Sequence, residues 1–143
     1  MLDQVFEVHS VGEMEILGSR VGEILVAGAV LLLRGELGAG KTAFTRGIGK
    51  SLGIDDVTSP TFVIAKIHPG VIPFVHVDAY RLLGKEFAVF DDLDLETRIP
   101  QSITVIEWGS GFVERLSDSY IEIEIDFGTA LNDRIVTIIG LDL

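Results

Sequence analysis

The chain contains no cysteine and no run of lysines or arginines. Without cysteine it forms neither disulfide bonds nor thiolate metal sites. Its 11 basic residues are outnumbered by 22 acidic ones, which gives a formal net charge of −11. Because the phosphates of a nucleic acid repel such a charge, we do not expect the chain to grip RNA or DNA unaided.

Long apolar segments are absent as well. No stretch is long enough to cross a bilayer, and the N-terminus lacks the basic region and apolar core of a signal peptide. We therefore expect a cytoplasmic protein with no membrane contact. Hydrophobic residues nevertheless make up 48% of the chain, too many for a disordered segment. At 143 residues, the simplest expectation is a single domain, residues 1–143, with a well-formed core.

The most informative stretch is rich in glycine. It matches the phosphate-loop pattern G-x-x-x-x-G-K-[ST] at every constrained position and reads Gly35, Glu36, Leu37, Gly38, Ala39, Gly40, Lys41, Thr42. Glycines let the backbone curl so that its N–H groups face a phosphate, while the lysine reaches the β- and γ-phosphates. The threonine hydroxyl is placed to ligate Mg²⁺. These eight residues are therefore candidate nucleotide-binding residues.

The surroundings of this loop support the interpretation. Residues 29–33 before it form a continuous apolar run, typical of a strand buried on both faces. After it, a helix is predicted from Lys41 to about Leu52, closed by Gly53. Strand, glycine loop and helix is the order that a phosphate loop requires.

The hydrophobic pattern predicts an α/β fold of the P-loop NTPase type. We expect three layers, with central parallel strands extended by antiparallel strands and hairpins. Ser10 and Glu13 form a capping-box pattern, which predicts a helix after a short strand over residues 4–8. The pair Pro69-Gly70 separates two apolar runs and predicts an antiparallel hairpin.

Further strands are predicted towards the C-terminus. Residues 103–106 are short and apolar, and residues 120–127 alternate between apolar and acidic side chains, typical of a half-exposed strand. Residues 135–141 are expected to return antiparallel to it. Gly47 and Gly49 lower the helix propensity after the loop, and we expect them to mark close packing on the sheet.

Two of the predicted strands end in an acid. Asp78 closes one and Glu107 closes another. Ligands of open α/β sheets bind at the carboxyl ends of the strands, and a phosphate loop needs a carboxylate to help hold Mg²⁺. We therefore take Lys41, Asp78 and Glu107 as candidate catalytic residues, and Thr42, Asp78 and Glu107 as candidate metal-site residues. The alternative for either acid is a helix cap or a solvent-facing side chain.

Three more residues are candidates for a switch or partner surface. Thr61 follows a proline on a loop that can sense the γ-phosphate, although an ordinary turn threonine is an equal alternative. Tyr80 and Trp108 closely follow the two strand-end acids, and core packing is the alternative for Trp108. The histidines show no metal-binding spacing, and we interpret all three as structural or surface residues: His9, His68 and His76.

Four motifs together resemble the TsaE (YjeE) family of small bacterial ATPases. They are G-E-L-G-A-G-K-T at residues 35–42, S-P-T-F at 59–62, H-V-D-A-Y-R-L at 76–82 and I-E-W at 106–108. The phosphate loop alone is generic, whereas the four motifs at this spacing are specific, and the resemblance covers nearly the whole chain. The chain departs from the family pattern at Ala79, at Ser117 and over residues 84–101, and none of these departures touches the phosphate chemistry.

The resemblance implies a function. Members of this family hydrolyse ATP with Mg²⁺ and support formation of the threonylcarbamoyl group on the adenosine next to the anticodon of certain tRNAs. They act on a TsaB–TsaD complex, so tRNA would be met only through that complex. Because no arginine is obviously placed as a finger, we expect slow hydrolysis by the isolated chain and stimulation by its partners.

The resemblance also implies roles for individual residues. Thr42 and Glu107 would form the magnesium site, while Asp78 would support the metal through water or orient the attacking water. Thr61 and Trp108 would belong to a surface that responds to nucleotide or partner. The family pattern also implies that two further residues lie near the base of the nucleotide, and they are Val11 and Arg134.

Three rival functions remain open. A GTPase would need an N-K-x-D motif, but the only asparagine is Asn132. A small-molecule P-loop kinase would need a substrate pocket and an arginine-rich lid, and the chain has only seven scattered arginines. The third rival is a nucleotide-dependent binding module whose hydrolysis is incidental.

Overall fold

The computed structural model describes residues 3–55, 57, 65–78, 94–107 and 119–143. Seven strands form one sheet, and they are β1 (Gln4–Val8), β2 (Val30–Gly35), β3 (Ala65–His68), β4 (Phe74–Asp78), β5 (Ile103–Glu107), β6 (Ile121–Phe127) and β7 (Arg134–Ile139). The helices are α1 (Val11–Ile24), α2 (Lys41–Ser51) and the short α3 (Leu95–Arg98), which continues into a 3-10 turn, Ile99–Gln101.

Parallel strands lie at the centre of the sheet and antiparallel strands at its edges. The order is β1-β7-β6-β2-β5-β4-β3. Strand β2 is parallel to both neighbours, β5 and β6, and β4 is parallel to β5. Strand β3 pairs antiparallel with β4, while β7 pairs antiparallel with both β6 and β1. The predicted extension of central parallel strands by antiparallel strands and hairpins is confirmed.

Helices cover both faces of the sheet, which confirms the predicted three layers. On one face, α1 and α2 contribute Met14, Leu17, Phe44 and Ile48 to a buried apolar cluster with residues of the central strands. On the other face, Leu95 and Ile99 pack on a smaller cluster. Strand β2 is buried on both faces, as its continuous apolar run predicts.

The predicted capping box starts α1. The hydroxyl of Ser10 accepts a hydrogen bond from the backbone N–H of Glu13 at 3.0 Å, which satisfies one donor that the helix itself leaves unpaired. The helix buries Met14, Leu17 and Val21 on its apolar side. Helix α2 ends at Ser51, and Gly53 follows in the left-handed region with a φ of 79°, as predicted for the residue that closes it.

The expected packing of α2 glycines on the sheet is wrong. A Cβ on Gly47 would collide with the carbonyl oxygen of Glu15 in α1, and a Cβ on Gly49 would collide with the Val57 side chain. In return, a Cβ on Gly18 of α1 would collide with the carbonyl oxygen of Phe44 in α2. Gly47 and Gly18 therefore allow the backbones of the two helices to touch, while Gly49 makes room for Val57. Within the described ranges, no helix combines the length and the apolar character needed to cross a membrane.

Candidate nucleotide-binding site

The glycine loop connects β2 to α2 as predicted. Gly38 and Gly40 have φ angles of 83° and 114°, in the left-handed region that favours glycine. Gly40 is also the N-cap of α2 and provides no side-chain cap, so the first N–H groups of the helix are not capped by a side chain of that residue. A Cβ on Gly40 would lie only 3.0 Å from Cε of Met14 in α1. The left-handed backbone conformation requires glycine here, whereas the flexible end of the Met14 side chain can shift to admit a Cβ.

Lys41 is the first residue of α2, and its side chain lies in a partly dry environment. The residue is only 7% exposed, and its Nζ donates to the carbonyl oxygen of Gly35 at 2.6 Å. Burial lowers the pKa of this amine, while the charges of Glu107 and Asp78 act in the opposite direction. The ammonium group is therefore poorly hydrated, a condition that favours an anionic ligand.

The two strand-end acids lie side by side. Asp78 of β4 is opposite Glu107 of β5, and Glu107 is opposite Leu33 of β2, two residues before the loop begins. Side chains alternate along a strand, so Glu107 shares a face with Val105, which packs in the cluster beneath α1 and α2. Both acids thus belong to the face and the edge of the sheet where the glycine loop lies.

A buried histidine completes this part of the site, and the sequence analysis missed its position. His76 is fully buried, and its Nε2 lies 2.6 Å from Oε2 of Glu107, which is 6% exposed. Its Nδ1 has no hydrogen-bond partner among the described residues. One signal was available in the sequence, because His76 precedes Asp78 by two positions and therefore faces the same side of the strand.

Arg134, at the start of β7, binds the glycine loop from the antiparallel side of the sheet. Its Nε donates to the carbonyl oxygen of Ala39 at 3.1 Å, and Nη2 lies 3.4 Å from that of Gly38. Nη1 donates to the carbonyl oxygens of Leu131 and Asp133 at 2.9 and 2.8 Å. The C=O of one residue and the N–H of the next point in opposite directions across a planar trans peptide. By holding the Ala39 carbonyl, Arg134 therefore orients the N–H of Gly40.

Comparison with known proteins assigns a family to this arrangement. The model of the family described as "Threonylcarbamoyl adenosine biosynthesis protein TsaE" matches residues 8–135. The chain belongs to the TsaE family. The resemblance drawn from the four motifs is thereby confirmed, and with it a family role in threonylcarbamoyl adenosine biosynthesis.

Individual members of the family match most of the chain. The Streptomyces coelicolor "tRNA threonylcarbamoyladenosine biosynthesis protein TsaE" is 48% identical over 135 residues, which cover 90% of each chain. The Mycobacterium tuberculosis protein of the same name is 43% identical over 130 residues, covering 85% of this chain and 77% of the relative. The crystal structure of Bacillus subtilis YdiB superposes with a TM-score of 0.79 at 28% identity, covering 99% of this chain and 87% of that one. This likeness confirms the predicted fold class.

The other predicted site residues differ in their exposure and in whether the structure describes them. Glu36 and Leu37 of the loop are exposed, and Thr42 lies half-buried in the first turn of α2. Val11 begins α1 and is 63% exposed, one turn before the Met14 side chain that approaches Gly40. Three candidates for a switch or partner surface lie outside the described residues, so their roles remain predictions. They are Thr61, Tyr80 and Trp108.

The donor set of the site fits a magnesium nucleotide. Within the described ranges, no group of three or more histidine, cysteine or acidic side chains is arranged to hold a metal ion alone. Mg²⁺ commonly takes only one or two carboxylates from the protein and completes its shell with water and phosphate oxygens. The hydroxyl of Thr42 and the carboxylates of Glu107 and Asp78 supply donors of that kind beside a loop whose backbone suits phosphate.

Proposed function

We propose that this chain is the Mg²⁺-dependent ATPase component of tRNA N6-threonylcarbamoyladenosine synthesis, acting in the cytoplasm. It binds and hydrolyses ATP to support threonylcarbamoyl transfer by a TsaB–TsaD complex, and it meets tRNA only through that complex. One observation carries the proposal: the glycine loop with the buried amine of Lys41 meets two strand-end carboxylates, Asp78 and Glu107, at one edge of the sheet. Membership of the TsaE family supports the pathway.

In this proposal the loop holds the phosphates of ATP. The backbone N–H groups of residues 38–42 face the β-phosphate, and the start of α2 adds the positive end of its dipole. Lys41 contributes a point charge to the β- and γ-phosphates. Because its amine is already desolvated, an incoming phosphate stabilises the charged form that burial disfavours.

The residues that would hold Mg²⁺ are Thr42 and Glu107, with Asp78 acting directly or through water. When bound, the ion neutralises negative charge on the phosphate oxygens. In this proposal Asp78 also orients the water that attacks the γ-phosphate. Glu107 lies beside the loop in a buried position, where an electrostatic interaction is stronger than in bulk water.

Turnover by the isolated chain is expected to be slow. Among the described residues beside the loop, Arg134 already donates to the carbonyl oxygens of the loop and of its own turn, and Arg34 is paired with Glu122 at 2.7 Å. A guanidinium group directed at the γ-phosphate commonly raises the rate of such hydrolysis by about 10³- to 10⁵-fold. We therefore propose that TsaB and TsaD complete or order the site and so stimulate hydrolysis.

Phosphate release by the purified chain, measured with and without TsaB and TsaD, tests this function. We expect Mg²⁺-dependent hydrolysis of ATP that rises when both partners are present. Lys41→Ala should weaken ATP binding by about 100-fold or more because it removes the phosphate-binding amine. Lys50→Ala is the matched control, since Lys50 lies on the same helix but pairs with Glu15 on the surface at 2.9 Å.

Two outcomes would contradict the proposal. A mixture of the three proteins that forms no complex and shows no stimulation would remove the TsaB–TsaD partnership. Equal ATP affinity in Lys41→Ala and Lys50→Ala, measured by calorimetry, would remove the loop as the nucleotide site. Transfer of the γ-phosphate to a small molecule instead of water would favour the rival kinase function.

A further inference from the structure

We propose that His76 is the positioning residue of Glu107, fixing the orientation in which this carboxylate faces the metal of the nucleotide site. The inference rests on the proposed function, because it concerns the metal-site role assigned there to Glu107. His76 begins one of the four family motifs, but the sequence predicted only a structural or surface role for it. The group that acts is the ring Nε2, which lies 2.6 Å from Oε2 of Glu107.

The strand register brings the two residues together. His76 lies opposite Val105 on the neighbouring strand, and Glu107 is two positions further along, on the same face of the sheet. The imidazole therefore reaches along the sheet to the last residue of β5. As a metal ligand in the proposed function, Glu107 is an ionised carboxylate, which only accepts hydrogen bonds, and in that role Nε2 is the donor.

The position of the ring is fixed by packing. His76 is fully buried, and its ring stacks against that of Phe74 with centroids 6.4 Å apart and planes inclined by 21°. Phe74 in turn stacks on His68 at 5.8 Å. A ring held in this way presents its Nε2–H in one direction, and the hydrogen bond to Glu107 therefore restricts the orientation of the carboxylate.

Packing alone does not explain a histidine here. The ring Nδ1 is buried and has no hydrogen-bond partner among the described residues, which costs stability that an apolar side chain of similar size would not cost. The bond to Glu107 is the interaction that such an apolar side chain would lose. The contact, rather than the volume of the ring, therefore accounts for the residue.

The carboxylate needs such a partner to be oriented. The terminal torsion of a glutamate has a broad energy minimum, so an unpartnered carboxylate samples many orientations. With Oε2 engaged by His76, Oε1 is left as the ligand oxygen in a restricted orientation. Hydrogen-bond partners behind metal ligands act in this way elsewhere, and their loss typically weakens metal binding by about 10- to 100-fold.

The test separates metal binding from nucleotide binding. Mn²⁺ replaces Mg²⁺, its affinity for the ATP-loaded protein is measured by electron paramagnetic resonance, and ATP affinity in EDTA is measured by calorimetry. We expect His76→Leu to weaken Mn²⁺ binding by about tenfold or more, with ATP affinity in EDTA changed by less than about twofold. His76→Gln keeps an amide donor near the position of Nε2 and should restore Mn²⁺ affinity to within about threefold of wild type.

A matched control is available in the same ring stack. His68 is 8% exposed and stacks on Phe74, which begins β4, at the opposite end of the strand from Asp78, the residue that pairs with Glu107. His68→Leu should therefore leave Mn²⁺ affinity unchanged, although it also removes a buried imidazole. If His76→Leu fails to fold, His76→Asn takes its place, because the shorter amide stops short of Glu107 and should weaken Mn²⁺ binding as strongly.

Specific results would overturn the inference. Unchanged Mn²⁺ affinity in His76→Leu or His76→Asn would do so. An equal loss of Mn²⁺ affinity in His76→Gln and His76→Leu would also do so, as would an equal loss in His68→Leu. These outcomes leave the proposed function standing, provided that wild-type protein binds ATP with metal dependence. Wild-type protein that binds ATP equally well with and without Mn²⁺ would overturn the proposed function, and this inference with it.

Discussion

Carboxylates line two regions of the same sheet, and the two regions use them differently. In the parallel centre, Glu107 is buried and bonded to a buried histidine. On the other side of β2, β6 pairs antiparallel with β7 and begins the antiparallel extension. This strand alternates buried isoleucines with acids, and one of these acids, Glu122, meets the exposed Arg34 at 2.7 Å. An exposed ion pair contributes about 0–1 kcal/mol to stability, because water and salt screen it. A buried carboxylate beside a desolvated lysine is instead suited to metal binding and catalysis.

The two regions touch at the glycine loop. Arg134 begins β7 in the antiparallel extension, and its guanidinium group donates to the carbonyl oxygen of Ala39, in the loop that follows the central strand. The same side chain lies over the ring of Phe127 at 4.7 Å, which fixes it on the β6–β7 hairpin. The extension therefore supports the loop of the parallel centre. Three substitutions probe how far the difference between the two regions holds.

The largest effect is expected when the buried carboxylate of Glu107 is neutralised, and neutralising the more exposed Glu122 is the control. Glu107→Gln keeps the shape of the side chain but removes its charge, and it should reduce ATP hydrolysis by about 100-fold or more while reducing ATP binding less. Glu122→Gln, the control, should change hydrolysis by less than about twofold. Single-turnover phosphate release and calorimetric ATP affinity measure the two effects. Equal turnover in Glu107→Gln and wild type would remove Glu107 from the mechanism.

An intermediate effect is expected at the contact between the regions. Arg134→Ala should loosen the Gly38–Ala39 segment and weaken ATP binding by about tenfold, and Arg134→Lys should restore little, because an ammonium lacks the planar fork of donors. Arg34→Lys is the control, since Arg34 lies near the end of β2 but is exposed and pairs with Glu122. Binding is measured by calorimetry with ATP and with inorganic tripolyphosphate.

Tripolyphosphate separates two roles for Arg134. If the residue acts by holding the loop, its loss weakens the binding of both ligands, because both use the phosphate-facing N–H groups. If it acts only on the base, as the family resemblance implied, tripolyphosphate affinity stays unchanged. Wild-type affinity for both ligands in Arg134→Ala would show that the loop does not depend on the antiparallel extension.

Local patterns explain what the sequence predicted well. The loop, its flanking strand and helix, and the capping box at Ser10 each depend on residues that are close along the chain, and the structure shows all of them. The positions of Asp78 and Glu107 at adjacent strand ends also followed, because parallel strands share a carboxyl edge.

Contacts between distant segments explain what the sequence did not predict. The bond between His76 and Glu107 depends on the register of β4 against β5, which no local pattern fixes. Arg134 meets Ala39 only because β6 lies beside β2, which brings a hairpin about 95 residues away in sequence next to the loop. Gly47 was assigned to the wrong neighbour because a glycine in a helix marks a close approach but does not identify its partner.

The smallest effect is expected at an exposed ion pair in the antiparallel extension. Nδ1 of His9, just after β1, lies 2.8 Å from Oδ1 of Asp133 in the β6–β7 turn. The hydrogen bond to Asp133 and its charge raise the pKa of His9 above 6.5, and the same bond lowers the pKa of Asp133 below 3.8. The contribution of His9 is therefore fully present below pH 6.5 and is lost as the pH rises through its raised pKa. The contribution of Asp133 is present above pH 3.8 and is lost as the pH falls through its lowered pKa.

The pair should thus stabilise the fold most between these two limits. His9→Gln removes the charge, so urea denaturation should show a larger loss of stability relative to wild type at about pH 5.5 than at about pH 8.5. A loss of equal size at both pH values would mean that the charge of His9 does not contribute. Because the pair is exposed to solvent, its contribution to stability should also decrease when salt is added. The contact between His76 and Glu107 is buried, so its contribution should respond little to salt. That contrast in salt dependence tests the difference between the two regions without a measurement of nucleotide binding.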